Sequence, residues 1–365
     1  MKRIISLVLC VALSGCFFAC SKQSGASKLP DSEFVDTKVT DNYVIDLYKD
    51  YAEIVEYSGK DEEVTVINEY ESLPVMSIGD FAFKNLSTLK KVTIPSSVIR
   101  IGEYAFSSCR NLEEVVISNG VAEICCNAFE DNKKLKSVNI PDSVESIGAM
   151  AFFACDELES VTIPKKIEKI GGGAFAYTKW VYSFENEFVF AGDGVLIAYI
   201  GGEDTVTVPE GTKHLSCFFE NYDLKKVICN KELETIEEMC FSDCGELKEI
   251  VLPDSLRTIG EKAFIWCQGL DKIDLPLSLQ KIEDEAFSDC IGLNSITIPA
   301  EVKTVGNLVF QRCDGLTQIT FENPSTAISG NLFSEKNVDV TIHADAGSII
   351  EKYCTEHEYK FEATK

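Results

Sequence analysis

The chain has 365 residues, 45% hydrophobic and 25% charged, a balance that excludes both an intrinsically disordered chain and a multi-span membrane protein. Lys+Arg 34 against Asp+Glu 59 give a net charge of −25, which repels phosphates and argues against nucleic acid or an anionic membrane as partner. Three His leave little material for acid–base or metal chemistry, whereas Gly, Ile, Val and Phe are plentiful.

At the N-terminus, Lys2 and Arg3 precede an apolar stretch, Ile4 to Leu13, that is too short to span a bilayer. Residues 1–15 read as a secretory signal, whose removal with Lys2 and Arg3 would take the charge from −25 to −27. Leu13-Ser14-Gly15-Cys16 resembles a bacterial lipobox, so Cys16 is the expected lipidation site, with Cys20 the alternative and an ordinary cleaved signal the plain reading. Residues 16–43 are expected to form a tether, which includes the Ser/Gly/Lys stretch from Ser21 to Lys28. Neither Cys is followed by Asp, which leaves surface or outer-membrane display open.

A repeat of 23 residues organises the rest. Ile78, Ile101, Ile124, Ile147 and Ile170 keep this step, and after an interruption Ile236, Ile259, Ile282, Val305 and Ile328 resume it. Five residues after each comes Phe, from Phe83 to Phe175 and from Phe241 to Phe333, and a shorter unit is read from His214 with Phe219. The unit is Ile-Gly-x-x-Ala-Phe-x-x-Cys-x-x-Leu-x-x-Val-x-Ile-Pro. Val-x-Ile has the period of a half-buried strand, with Val92 and Ile94 predicted inward and Thr93 outward, and Pro95, Pro141 or Pro164 ends it. No unit can bury its Phe, Leu and Ile alone, so each must stack on the next.

Residues 44–77 are predicted to cap the array as a hairpin, 78–177 form a first repeat block, 178–213 an insert, 214–343 a second block and 344–365 a C-terminal cap of helix and strand. The insert shows aromatic alternation at Trp180, Tyr182, Phe184, Phe188 and Phe190, followed by the hairpin signal Gly192-Asp193-Gly194. Its tail, Tyr199 to Val208, aligns without gaps on Tyr57 to Val66, so the chain is two similar halves, read as one continuous solenoid with a bend at the insert left open.

This pattern resembles the BspA-like branch of the leucine-rich repeats, and the resemblance covers residues 44–361. It implies an α/β leucine-rich-repeat solenoid of about 23-residue units with a parallel strand ladder. It also implies a non-enzymatic cell-surface protein, anchored through its N-terminal lipid only, that adheres to host matrix proteins such as fibronectin or fibrinogen, or to other bacteria. A periplasm-facing structural lipoprotein is the alternative, and a glycan-processing enzyme a weaker third.

Fifteen Cys in an exported chain invite disulfides, but Cys109, Cys155, Cys244, Cys267, Cys290 and Cys313 share one repeat column and read as buried thiols. Cys125, Cys126, Cys217 and Cys354 lie off that column and are unassigned. No Cys-x-x-Cys or His-x-x-x-His suggests a metal site, no catalytic constellation appears, and no cofactor is expected. Candidate ligand contacts are the outward strand positions Glu114, Val116, Asn139, Thr162, Lys226, Ile228, Glu249, Val251, Lys272 and Asp274, with Trp180 and Tyr182 of the insert. Lys91 beside Glu114, and Lys226 beside Glu249 beside Lys272, would equally serve as stabilising ladder pairs.

Overall fold

The computed structural model describes residues 29–334 and 339–364, so Cys16 and Cys20 lie outside the described residues. The repeats wind as a β-solenoid in which all but one of the regular coils contribute two short parallel strands. One ladder is built from the Ile column: Leu73–Ile78, Arg100–Ile101, Glu123–Ile124, Ser146–Ile147 and Lys169–Ile170 pair in register. The other is built from Val-x-Ile, where Val92 and Ile94 are buried and Thr93 points outward as the alternation predicts. Helix among the described residues is confined to Lys179–Tyr182 and Ile349–His357.

The Phe column forms an aromatic spine through each block. Phe83, Phe106, Phe129, Phe152 and Phe175 stack at centroid spacings of 4.8, 5.2, 5.1 and 5.3 Å, with Tyr57 closing one end and Trp180 meeting Phe175 edge-on at the other. A second spine starts at Tyr199 on Phe218, runs through Phe241, Phe264, Phe287, Phe310 and Phe333, and ends on Tyr359. The short unit therefore enters the column at Phe218, not Phe219, and its strand His214–Leu215 places Leu215 in the Ile column. Removing two residues between the Ile and Phe positions leaves Phe219 only half-buried.

Several expected boundaries change. The N-terminal cap is a three-stranded meander, Phe34–Val39, Tyr43–Tyr48 and Ala52–Tyr57, so its first strand occupies part of the expected tether. Trp180 to Phe184 does not continue as an alternating strand; Thr178 caps the one-turn helix Lys179–Tyr182 instead. The hairpin is Phe188–Ala191 with Val195–Tyr199, turning at Gly192 to Gly194. The C-terminal cap has the expected helix and strand, Lys360–Ala363 pairing parallel to Thr341–Ala344.

At the insert the expected single array divides into two. The buried residues form two separate clusters, and one strand serves both: Val195 and Ile197 belong to the first core while Leu196 and the half-buried Tyr199 pack on the second. The two-residue period of a strand makes this sharing possible, because successive side chains leave opposite faces. The second block then packs back against the first. Gly172 N donates to Glu238 O at 2.6 Å, and Cys126 Sγ lies 3.1 Å from Glu238 Oε1.

All twelve described cysteines are unbridged and buried. Those of the repeat column also act as donors: the thiols of Cys109, Cys155, Cys244, Cys267, Cys290 and Cys313 each donate to a Phe-column carbonyl of the preceding coil at 2.9–3.1 Å. Asn132, which stands in that column, does the same with its amide, donating to Phe106 O at 3.0 Å. At these seven positions a small side chain thus supplies a donor that satisfies an interior carbonyl. Burial pushes the thiols of Cys109, Cys155, Cys229 and Cys313 up to about 12. We therefore expect thiol reagent at pH 8 to leave these twelve unlabelled in the folded chain, begun after Cys20, and to label all twelve in denaturant. Rapid labelling of the column without denaturant would refute its burial.

Candidate functional site

The outward positions of the Val-x-Ile ladder lie on one continuous face within each stretch of paired strands. In the first block Thr65, Thr93 and Val116 are direct neighbours, as are Asn139 and Thr162; in the second, Thr207, Ile228 and Val251 are. The charges on this face neutralise one another. Lys91 pairs with Glu114 at 2.8 Å and Lys226 with Glu249 at 2.7 Å, both exposed enough to contribute little beyond holding register. Lys272 departs from the expected ladder: it pairs with Asp274 at 2.9 Å, and residues 271–276 form no strand.

With the charges paired, the face presents apolar and neutral polar groups. Val116 and Val251 are 38% and 44% exposed, Ile228 is half-buried, and Asn139 and Thr162 are exposed. No strand pairing joins Glu114–Ile117 to Ser137–Asn139 among the described residues, and a cleft of about 960 Å³ lies over this part of the face. Its lining includes Ile117, Asn139, Ile140, Thr162 and Ile163, with Lys165 and Lys166 at one side. Asn139 and Thr162 are thus brought together in one depression, whereas Val116 adjoins it and Ile228, Val251, Lys272 and Asp274 lie on the second block.

Of the two insert aromatics, Trp180 is half-buried as the end of the first aromatic spine and is not a free contact residue. Tyr182 is 60% exposed and lines a second, smaller cavity where the blocks meet. That cavity also takes Tyr177, Tyr199, Glu220 and Tyr222, none of them singled out from sequence, because only the return of the second block against the first brings them together. His214 pairs with Glu237 at 2.9 Å, an interaction that raises its pKa, and it lies on the Ile ladder rather than in either cavity. Among the described residues no group of three or more His, Cys, Asp or Glu is arranged to hold a metal ion, and no helix is long and apolar enough to cross a membrane.

The profile of the BspA type leucine rich repeat region matches residues 68–185 and 212–354 in six copies. The chain belongs to the BspA-type leucine-rich-repeat family. The profile skips the hairpin, where the BspA-type unit is replaced by the shared strand. No curated protein matches the chain. Similar solved structures include a leucine rich cell surface protein of Faecalibacterium prausnitzii, 24% identical over 79% of this chain and 95% of that one, with a TM-score of 0.41. The T. pallidum leucine rich repeat protein TpLRR is 23% identical over 64% of this chain and 91% of its own, TM-score 0.39. The pneumococcal vaccine antigen PcpA is 19% identical over 90% and 99%, TM-score 0.42.

Proposed function

We propose that this BspA-type protein is a non-enzymatic adhesin, exported and held at the cell surface through lipid on Cys16, that binds a protein ligand on the outward face of its Val-x-Ile ladder. The ligand is a host extracellular-matrix protein or a surface protein of another bacterium. One observation carries the choice of face: Lys91 and Glu114, and Lys226 and Glu249, are satisfied by each other, while Val116 and Val251 beside them stay exposed outside the core. Scattered apolar residues are common on protein surfaces, but here Val116 and Val251 occupy the same outward position of the repeat unit as Asn139 and Thr162 of the cleft, and Val116 lies beside that cleft. Stacked repeats offer extended surfaces, and solenoid proteins use such surfaces for binding.

The test is binding of immobilised fibronectin, fibrinogen and whole bacteria by the mature chain and by the triple variant Val116→Glu, Ile228→Glu, Val251→Glu. Saturable binding that weakens at least about tenfold in the variant is expected, since three charges placed at an apolar contact cost more than about 1.4 kcal/mol together. Undiminished binding moves the site off this face. No binding to any of them favours the periplasm-facing structural role. In the same cells, lipid labelling should vanish with Cys16→Ser; persistence assigns the anchor to Cys20.

A further inference from the structure

The cavity between the blocks has a chemistry of its own. Its volume is about 310 Å³, at the small end for a ligand site and suited to one long side chain. Tyr177 and Tyr182 come from the end of the first block, Tyr199 from the shared hairpin, and Glu220 and Tyr222 from the second block, so neither block has the site alone. Tyr177, Tyr182 and Tyr222 are 39%, 60% and 57% exposed, so three tyrosines reach the surface at this one cavity. Every charged residue lining the cavity is acidic, namely Glu220 and Asp223.

Glu220 is the centre of it. Tyr177 Oη donates to Glu220 Oε2 at 2.8 Å, tying the two blocks together across the cavity mouth. No ion pair to Glu220 forms among the described residues, and the charge that acts on it is another carboxylate, Asp243. Burial raises the pKa of both acids, the expected state of carboxylates that lack a cation. A carboxylate with no cation partner in a cavity lined by exposed tyrosines attracts cations by two additive means, direct charge and the ring quadrupole.

We propose that this inter-block cavity binds a single cationic side chain, lysine or arginine, presented by a protein ligand. The pocket stands on its own geometry, and rests on the adhesin reading only for the source of that side chain. The probes are N-acetyl-lysine methylamide and N-acetyl-arginine methylamide, titrated into the full mature chain while the tyrosine ring resonances are followed by NMR. Saturable shifts of Tyr177, Tyr182 and Tyr222 are expected with either cation, falling as salt is added, and none with the uncharged norleucine analogue. Glu220→Gln, which keeps an acceptor for Tyr177, should weaken binding roughly fivefold or more, and so should the exposed Tyr182→Ala. The triple strand-face variant should bind both probes as the unchanged chain does, which separates failure of this site from failure of the adhesin reading. Equal response to norleucine, stronger binding of a neutral disaccharide, or no saturable shift with either cation would each overturn the proposal.

Discussion

Phe264→Ala is expected to lower the stability of the protein by about 3–5 kcal/mol, read as a shift of the urea midpoint. Phe264 is fully buried, with Phe241 at 5.0 Å on one side and Phe287 at 5.3 Å on the other, so its loss opens a cavity that coils fixed by two strand ladders cannot close. Its backbone carbonyl also accepts the Cys290 thiol, and disturbing that coil exposes a second interior bond. Because stability in a solenoid is a sum of nearest-neighbour interfaces, a break in the middle costs both of them. Phe190→Ala provides the control: Phe190 is 42% exposed on the hairpin and should change stability by less than about 1 kcal/mol. Similar losses for the two variants would mean that the spine does not carry the fold.

Gly172→Val should uncouple the two blocks. A Cβ at Gly172 would lie 2.4 Å from Met239 O and 2.6 Å from its carbonyl carbon, and both are backbone atoms that no rotamer change can move. The second block must shift away, losing the bond from Gly172 N to Glu238 O, at a cost of about 1–3 kcal/mol. The two tryptophans report the blocks separately, Trp180 at the end of the first spine and Trp266 in a coil of the second. In single-tryptophan chains their urea transitions should coincide before the substitution and separate after it. Coincident transitions in Gly172→Val would show that the shared hairpin alone couples the blocks.

Gly171, one residue earlier, shows why the repeat asks for Ile-Gly: a Cβ there would meet Ala149 N of the preceding coil at 2.4 Å. That requirement repeats with every coil and is legible as a column. The inter-block role of Gly172 is not, since it depends on a residue far along the chain and appears only once.

The same distinction runs through the candidate sites. The alternation of Val-x-Ile is enough to place Glu114, Val116, Asn139 and Thr162 outward, because side-chain direction along a strand is set by a period of two. The pairing of Lys91 with Glu114 and of Lys226 with Glu249 follows from register alone. The loss of strand at Lys272 and Asp274 does not, although their unit matches the repeat pattern. Trp180, an aromatic of the insert, is held as an end cap by Phe175, and the lining of the junction cavity has no signature in any single repeat.

By itself the sequence determined what depends on neighbouring coils: the period, the Phe, Ile and Cys columns, the outward face and the capped ends. Nearest-neighbour stacking makes each of these a local requirement restated about every 23 residues, so it accumulates as a visible pattern. Only the tertiary structure decided what depends on long-range contact or on the backbone. Each regular coil carries two residues in the left-handed region, such as Tyr104 and Ser108 or Lys262 and Trp266, where L-residues are strained. Their backbone N–H groups bond to the next coil, to Cys126 O, Glu130 O, Asp284 O and Ser288 O, and this cross-coil bonding overrides local preference without demanding glycine. The return of the second block against the first is likewise a tertiary decision, because one strand, Val195–Tyr199, offers alternate side chains to two cores that the repeat alone would have joined into one.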